Sequence, residues 1–178
     1  MLKRCTLAIA AATATFAVAA CTSVDAQSEP PSSAAATGPA GAADGVLPDK
    51  TSAFDTDLPG ISKLDPELLN AVQKAETAMR QDGITMHVNT GWRSKKYQEE
   101  LLTRAIAKYG SKKKALEYVA TPEDSHHVTG DAVDIGPTAA DYWLIRKGAR
   151  FGLCQTLSHE IWHFELVTTP GDKCPPMG

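Results

Sequence analysis

The composition of the chain changes near residue 50, and this change limits what the chain can fold into. Residues 22–50 consist mainly of Ala, Gly, Pro and Ser, with few large apolar side chains. Such a segment cannot bury enough apolar surface to offset the loss of chain entropy on folding. We therefore expect a flexible tether over residues 21–51. Residues 52–178 remain as one folded domain, which is long enough to bury a core.

The first twenty residues have the features of an export signal. A basic start precedes an apolar run over residues 5–20, which is shorter than the ~20 apolar residues of a membrane span. The run ends in Val-Ala-Ala-Cys at residues 18–21, similar to a bacterial lipobox. We expect residues 1–20 to be removed and Cys21 to be lipidated, which would anchor the protein at the outer face of the bacterial membrane. The alternative is an ordinary secretory signal in which Cys21 has no role.

Cysteine positions support an exported protein. Cys5 lies in the expected signal and Cys21 in the lipobox, so Cys154 and Cys174 are the pair left in the folded part. Exported compartments permit disulfides, and this bond would close a loop of about 20 residues and contribute ~3 kcal/mol. We expect the disulfide. Two separate buried thiols are the alternative.

Patterns of apolar residues predict helices first and strands later. Asp65 is a helix N-cap followed by proline, and apolar residues then recur at helical spacing as far as Gly83. Other helices are predicted after Ser94 and over residues 111–119 and 139–148. Strands are predicted over residues 84–89, 128–135, 151–156 and 161–167. Because regular βαβ alternation is missing, we predict a small α+β domain with helices packed on a largely antiparallel sheet.

The charge balance argues against a nucleic-acid partner. The chain has 18 Lys and Arg against 21 Asp and Glu, a formal net charge of −3. Proteins that bind nucleic acid usually concentrate basic residues on one face. The lysine-rich stretch over residues 111–119 is interpreted as a solvated helix face, with attraction to anionic wall polymers as the alternative.

Two short segments carry residues that can bind a metal ion. His127 and Asp134 lie seven residues apart around Gly130, which permits a tight turn. Further along the chain, Glu160 and His163 add a carboxylate and a second imidazole. Two histidines and one carboxylate with one open position are a known catalytic zinc arrangement. Zinc lowers the pKa of water at that position, and a nearby glutamate that does not bind the metal can accept the proton.

The complete pattern resembles the zinc D,D-peptidases, a family that includes VanX-like dipeptidases and VanY-like D-alanyl-D-alanine carboxypeptidases. Its signature is Ser-x-His-x-x-Gly-x-Ala-x-Asp followed by Glu-x-x-His. The sequence matches every fixed position, at Ser125, His127, Gly130, Ala132, Asp134, Glu160 and His163. The resemblance implies one zinc ion held by His127, Asp134 and His163. It also implies that Glu160 is the general base and that the fold is of the hedgehog and D,D-peptidase type.

A third segment, residues 91–94, reads Gly-Trp-Arg-Ser and is followed by Gln98. It is similar to the family's Gly-Tyr-Arg-Ser segment, with Trp in place of Tyr. The resemblance implies that Arg93 stabilises the negative charge on the scissile carbonyl oxygen, and that Ser125 and Gln98 contact substrate. The alternative for Arg93 is a surface arginine in the first turn of a helix, where the helix dipole does not favour a positive charge.

Several residues beside these motifs have two interpretations. His126 could compete with His127 as a ligand, but only the register through His127 matches the whole motif, so we expect His126 to be exposed or to lie behind the ligands. His159 is expected to face solvent, although it could tune the neighbouring base. Trp162 is expected to pack in the core with partial exposure to the pocket. His87, in a predicted strand, is expected to be structural.

The expected activity is hydrolysis of peptidoglycan stem peptides, with D-alanyl-D-alanine carboxypeptidase as the leading hypothesis. An L,D-carboxypeptidase or an endopeptidase of the same family is an alternative, because the metal-site motifs do not separate these activities. A wall-binding or metal-binding module without turnover is a further alternative, although such a module would usually lack a ligand or the base. We expect a monomer. The segment over residues 152–159 is shorter than in many VanY-like relatives, so the rim of the pocket stays open to interpretation.

Overall fold

A computed structural model describes residues 38–178. The expected signal over residues 1–20, the lipidation site Cys21 and the tether as far as residue 37 lie outside this range. Within it, the helices are α1 (Pro59–Ser62), α2 (Pro66–Gln81), α3 (Lys95–Tyr109), α4 (Lys112–Ala115), α5 (His126–Thr129) and α6 (Thr138–Lys147). Short 3-10 helices lie at Ala42–Asp44 and Gly148–Phe151. The strands are β1 (His87–Thr90), β2 (Ala132–Gly136), β3 (Leu153–Gln155) and β4 (His163–Leu166).

The strands of residues 38–178 form one antiparallel sheet in the order β1-β2-β4-β3. β2 is a central strand and is buried along its whole length. Helices α2 and α6 pack against the sheet and share its core. The predicted α+β class with a largely antiparallel sheet is therefore confirmed.

Helix α2 begins where the local signals predict. The carboxylate of Asp65 accepts hydrogen bonds from the backbone N–H groups of Glu67 at 2.9 Å and Leu68 at 3.0 Å. The apolar face of α2 belongs to the same core as Trp143 of α6 and Phe164 of β4. Burial of side chains of this size stabilises the fold by about 1.5–3 kcal/mol each. Among the helices of residues 38–178, neither α2 nor any other is long and apolar enough to cross a membrane.

The lysine-rich helix is shorter than the predicted 111–119. Helix α4 ends at Ala115, and irregular turns continue to Val119. Tyr118 stacks on Tyr109 of α3 with ring centroids 4.4 Å apart, a contact that takes the place of further helix. The lysines of α4 are exposed, in agreement with a solvated face.

The strand predicted over residues 128–135 begins later than expected. Its first part forms helix α5, and β2 follows only after a turn at Gly130. Gly130 has a φ of 88°, and a Cβ atom there would lie 2.6 Å from a backbone oxygen between α1 and α2. The apolar alternation of the sequence does not reveal this turn of helix, because a tertiary contact with the α1–α2 connection fixes it.

Folded structure begins before residue 52, the expected start of the domain. Leu47 packs against the main core, and Thr51 is buried. The backbone carbonyl of Thr51 accepts a hydrogen bond from the N–H of Val88 in β1 at 2.8 Å. The C-terminal part of the expected tether, residues 40–51, therefore belongs to the folded domain.

Candidate metal centre and active-site pocket

Three buried side chains from three elements converge on one point. His127 lies in α5, Asp134 in β2 and His163 in β4. The Oδ1 atom of Asp134 lies 3.3 Å from Nε2 of His127 and 3.2 Å from Nδ1 of His163. One possible ligand atom from each residue lies within 4.8 Å of the others. A single ion can therefore contact all three side chains, which we call the His-Asp-His triad.

The fold places the triad through the sheet register and one turn. Asp134 and His163 are directly paired across β2 and β4, and residues paired in this way have Cα atoms about 4.5–5.5 Å apart. The turn at Gly130 connects α5 to β2, and it brings His127 beside the strand. Two ligands therefore stand on rigid strands, and the third is one turn away.

The outer nitrogen of each triad histidine has a hydrogen-bond acceptor. Nδ1 of His127 lies 2.9 Å from the backbone oxygen of Gly91. Nε2 of His163 lies 2.9 Å from Oε1 of Glu165. Because a carbonyl or carboxylate oxygen can only accept, each outer nitrogen donates, and in the neutral imidazole the inner nitrogen then carries the lone pair that can bind a metal. Held imidazoles of this kind are typical of metal ligands.

Glu165 is a functional candidate that sequence reasoning missed. Its Oε1 accepts hydrogen bonds from His163 and from the hydroxyl of Thr156, and its Oε2 lies 2.8 Å from Nδ1 of His126. Burial would raise the pKa of Glu165, but these hydrogen bonds, led by that of His163, lower it to about 2. The available signal was its position two residues after His163 in a strand, which puts both side chains on one face.

The other histidines lie outside the triad. His126 has a side chain that is 58% exposed, and it contacts Glu165. His159 is 51% exposed and faces solvent, with Nε2 3.8 Å from Oε1 of Glu160. His87 lies in β1 opposite Gly136, away from the pocket.

Burial and charge set the protonation of the triad. Burial would raise the pKa of Asp134, but its contacts with His127, His163 and Arg93 together outweigh this effect. These contacts, led by that with His127, hold the pKa of Asp134 well below its usual range. Burial lowers the pKa of His127. Burial would also lower the pKa of His163, but hydrogen bonds to Asp134 and Glu165 prevail and raise it to about 9. In the metal-free protein the carboxylate of Asp134 thus faces one protonated imidazole, whose charge a metal ion would replace.

Glu160 lies at the edge of the triad. Its Oε2 is 3.8 Å from Nδ1 of His163, and its side chain is 19% exposed. The two residues are joined by a turn in which the N–H of His163 donates to the carbonyl of Glu160 at 3.2 Å. A carboxylate that is close to the centre but outside the ligand set can accept a proton from water bound there.

Arg93 contacts the triad through Asp134. Its Nη2 donates to Oδ2 of Asp134 at 2.8 Å, and its backbone N–H donates to the carbonyl of His127 at 3.0 Å. Its Nε atom is buried and has no hydrogen-bond partner among residues 38–178. The guanidinium group is therefore held by a ligand and keeps other N–H groups for an oxygen in the pocket.

Gln98 is engaged with the protein at both ends of its amide. Its Oε1 accepts from Nη1 of Arg93 at 3.1 Å, and its Nε2 donates to the carbonyl of Ala120 at 2.9 Å. The side chain is only 1% exposed. Its contact with substrate stays a prediction, and its observed contacts orient Arg93.

The triad, Arg93 and Glu160 line one pocket of about 490 Å³. Ser125 is buried in the wall of the same pocket. A larger groove of about 1000 Å³ lies between α2 and residues 166–170, and it contains none of the candidate site residues. The residues singled out by the sequence motifs therefore share the smaller pocket.

Apolar side chains form the outer wall of this pocket. Trp162, Leu116 and Tyr118 all line it and are exposed to solvent. Trp162 was expected to pack in the core with partial exposure to the pocket. The exposure to the pocket is confirmed, but the packing in the core is wrong, because 41% of the residue is exposed. Trp162 lies in the turn directly before β4, so its ring is outside the sheet and is not covered by the core.

Cys154 and Cys174 form a disulfide, as the sequence predicts. Cys154 lies in β3, so the bond ties the C-terminal segment to an edge of the sheet. The backbone of Gly178 also pairs with Thr156, where its N–H donates to the carbonyl at 3.0 Å, and it accepts from Ser158 at 3.4 Å. The C-terminal residues therefore support the loop that leads to Glu160.

A small α+β domain with a His-Asp-His triad and a nearby glutamate has the construction of a metal-dependent hydrolase. Residues 61–173 match the family model for VanY, D-alanyl-D-alanine carboxypeptidase. The chain belongs to this family. The resemblance that the motifs indicated is thereby confirmed.

The chain is also similar to individual proteins, at sequence identities of 25–27%. A D-alanyl-D-alanine carboxypeptidase of Enterococcus faecalis is 27% identical over 142 residues, which are 64% of this chain and 53% of the relative. The chain thus spans about half the length of that relative. A VanY D,D-pentapeptidase mutant from a VanB-type resistance cassette, solved with Zn(II), has 26% identity and a TM-score of 0.54, covering 57% of this chain and 71% of that one. The LdcB LD-carboxypeptidase has 25% identity and a TM-score of 0.56, and the match covers 70% of this chain and 68% of LdcB.

Proposed function

We propose that this chain is a zinc-dependent D-alanyl-D-alanine carboxypeptidase that removes the C-terminal D-alanine from peptidoglycan stem peptides. The observation that carries the proposal is the meeting of the triad with Glu160 and Arg93 in one pocket. The matching family and the enterococcal relative have this activity in their names. All residues that the chemistry requires are present, which argues against a binding module without turnover.

The donor set of the triad fits one zinc ion. Zinc sites in hydrolases commonly use imidazole nitrogen and carboxylate oxygen and leave one position open. His127, Asp134 and His163 would hold the ion, and a VanY relative was solved with Zn(II). When bound, zinc polarises a carbonyl group and lowers the pKa of water at the open position.

Residues of the chain supply proton transfer and positive charge. Glu160 accepts a proton from the attacking water and delivers it to the amine of the leaving D-alanine, a task that suits a carboxylate at the edge of the triad. Arg93 donates a hydrogen bond to the scissile carbonyl oxygen as negative charge develops there. The Oδ2 atom of Asp134 fixes the direction of the Arg93 guanidinium.

The pocket wall is suited to a short peptide. The Ser125 hydroxyl lies in the wall and can hydrogen-bond the peptide backbone. The rings of Trp162 and Tyr118 offer apolar faces to the methyl groups of the D-alanine residues. Sites of this kind combine apolar walls with a few placed polar groups.

Release of free D-alanine from a synthetic stem pentapeptide tests the proposal. Zinc-loaded mature protein should release D-alanine, and Glu160→Ala should reduce kcat by about 10²–10⁴-fold, the range for removal of a general base. His159→Ala changes the exposed histidine beside Glu160 and serves as the matched control, with kcat close to wild type. If wild type releases no D-alanine and Glu160→Ala alters no stem-peptide product, the chain is not a peptidase.

A second candidate is an L,D-carboxypeptidase, which cleaves the D-alanine that follows an L-centre in a stem tetrapeptide. The observation in its favour is the similarity to LdcB, which covers the larger share of this chain. Parallel assays on stem pentapeptide and stem tetrapeptide separate the two activities. We expect the pentapeptide to have the higher kcat/KM, and the opposite order would identify the second activity.

We further propose that the protein acts outside the cell on the wall. The Cys154–Cys174 disulfide supports an oxidising compartment. The lipobox-like residues 18–21 support a lipid anchor at Cys21. Cys21→Ala should move the protein from the membrane fraction to the soluble exported fraction, as measured by immunoblotting. An unchanged distribution would argue against the anchor.

A further inference from the structure

The Arg93 segment, residues 91–94, is held from two sides. On the pocket side, the carbonyl of Gly91 and the N–H of Arg93 both contact His127. On the other side lie residues 41–47, which we call the N-terminal strap. The strap precedes residues 61–173, the part of the chain that matches the family model. It therefore adds contacts to the Arg93 segment from outside the matched region.

Asp44 of the strap binds Ser94, the residue directly after Arg93. The backbone N–H of Ser94 donates to the carbonyl of Asp44 at 2.9 Å, and the Ser94 hydroxyl donates to Oδ1 at 2.8 Å. Oδ2 accepts from the N–H of Gly41 at 3.1 Å and lies 3.5 Å from Nζ of Lys96. The Ser94 hydrogen bond is the main cause that lowers the pKa of Asp44, so the contact involves the carboxylate. One side chain thus joins the strap to the start of α3.

The Ser94 hydroxyl has a second role in the same place. It accepts a hydrogen bond from the N–H of Tyr97 at 3.1 Å and so caps helix α3. Its proton is directed to Asp44. The strap consequently fixes the orientation of the cap and, through it, the backbone on the C-terminal side of Arg93.

The strap also packs closely against the backbone on the N-terminal side of Arg93. Gly45 is buried with a φ of 96°, and a Cβ atom there would collide with the carbonyl oxygen of Trp92. The N–H of Trp92 donates to the carbonyl of Gly60 at 2.8 Å. Only glycine fits at residue 45, both for its backbone conformation and for its contact with Trp92.

We propose that the N-terminal strap is a positioning element for Arg93, with Asp44 as its positioning residue. This inference rests on the proposed function, because Arg93 has a task there only if a carbonyl is cleaved. Asp44 is separated from the pocket by residues 91–94 and acts by holding them. A small displacement of a positioned catalytic group can reduce turnover strongly, by about 10²-fold for 1 Å.

The first test compares Asp44→Ala with Asp49→Ala, a variant of an exposed aspartate just after the strap, in otherwise intact mature protein. Asp44→Ala should lower kcat on stem pentapeptide by about tenfold or more, with KM changed less than about twofold. Asp49→Ala should match wild type. Asp44→Asn keeps an oxygen that accepts from Ser94 and should restore most of the activity. A kcat for Asp44→Ala equal to that of wild type would overturn the inference.

A double-mutant cycle separates positioning from general destabilisation. If Asp44 acts through Arg93, then Asp44→Ala should cause no further loss of kcat in an Arg93→Ala background. Gly45→Ala, which disturbs the Trp92 contact, should behave in the same way. If the strap variants lower kcat in the Arg93→Ala background by the same factor as in wild type, the strap affects turnover by a route other than Arg93.

Hydrogen exchange provides a readout that does not depend on turnover. Peptides that cover residues 91–98 should exchange faster in Asp44→Ala than in wild type, whereas peptides from β2 should be unchanged. If exchange over residues 91–98 is unchanged in Asp44→Ala, the strap does not position the Arg93 segment, even if the enzyme is active. Faster exchange in Asp44→Ala than in wild type, together with a wild-type protein that cleaves no stem peptide, would instead retain the contact and reject the proposed function.

Discussion

At the metal centre, Arg93 donates to Oδ2 of Asp134 while Oδ1 faces the two histidines. If Arg93 stabilises the carbonyl oxygen in the transition state, Arg93→Ala should lower kcat by about 10²–10³-fold, as for loss of an oxyanion donor. Arg93→Lys keeps the charge but loses the planar fork of the guanidinium group, so its kcat should lie between those of wild type and Arg93→Ala. Steady-state kinetics on stem pentapeptide measure both. Arg104→Ala removes an exposed arginine that pairs with Glu100, and it should leave kcat unchanged.

Glu165 should control metal affinity more than turnover. It holds Nε2 of His163 and thereby directs Nδ1 to the metal. Loss of such a partner typically weakens metal binding by about 10–100-fold. We expect this weakening for Glu165→Ala in competition titrations with a zinc chelator, and a smaller effect for His126→Ala, because His126 only contacts the far oxygen of Glu165. A zinc affinity for Glu165→Ala equal to wild type would contradict this role.

For single residues, the sequence predicted the candidate metal ligands wherever the spacing within a motif identifies them. The register from Ser125 through Gly130 to Asp134 singles out His127, and the structure brings His127 and not His126 into the triad. Glu165 escaped detection because no motif marks it: its spacing from His163 is common in strands, and its other contacts, with Thr156 and His126, come from other parts of the chain. An isolated strand glutamate carries no motif.

Among the elements, β3 and the C-terminal segment depend on the Cys154–Cys174 bond. A disulfide that closes a loop of about 20 residues contributes ~3 kcal/mol in the chain-entropy model. Cys174→Ser should therefore lower Tm by several degrees, and reduction of wild type should have a similar effect. Reductant should not lower the Tm of Cys174→Ser any further. Equal Tm values for wild type and Cys174→Ser would mean that the C-terminal segment is held by its other contacts.

Element prediction succeeded where the signals are local and failed where tertiary contacts decide. The cap at Asp65 and the apolar spacing after it placed α2 correctly. Helix α5 was mistaken for strand because the Gly130 turn is set by packing against the α1–α2 connection. The strap was mistaken for tether because small residues, among them the buried Gly45, resemble a linker in composition while they contact the domain through backbone.

Over the whole molecule, the pocket depends on segments that are distant in sequence. Arg93 precedes α3, the triad spans α5 to β4, and the strap and the C-terminal segment support the loops at either end. Periodicity and caps predict the separate elements, but the order β1-β2-β4-β3 brings the ligand strands together. The sheet order was not predictable from local patterns, because it is decided by burial of the shared core.

Zinc removal should destabilise the protein in a way that depends on pH through His163. In the metal-free protein the pKa of His163 is raised to about 9, from an ordinary value of 6.5. A raised folded pKa contributes stability that is fully present below pH 6.5 and is lost as pH rises through 9. The shift corresponds to at most about 3 kcal/mol. In the zinc-bound protein His163 is a ligand without that proton, so it makes no such contribution.

The difference in Tm between zinc-loaded and chelator-treated protein should therefore widen as pH rises from 6.5 to 9. The metal-free protein loses the contribution of the His163 proton as pH rises. Over the same range zinc binds more tightly, because fewer protons compete with it for His163. Differential scanning calorimetry with stoichiometric zinc should show a widening of about 8–10 °C. His159→Ala should follow wild type, since His159 faces solvent. A difference in Tm that stays constant across this range would mean that His163 carries no proton in the metal-free state, and that Asp134 and Glu165 do not hold one there.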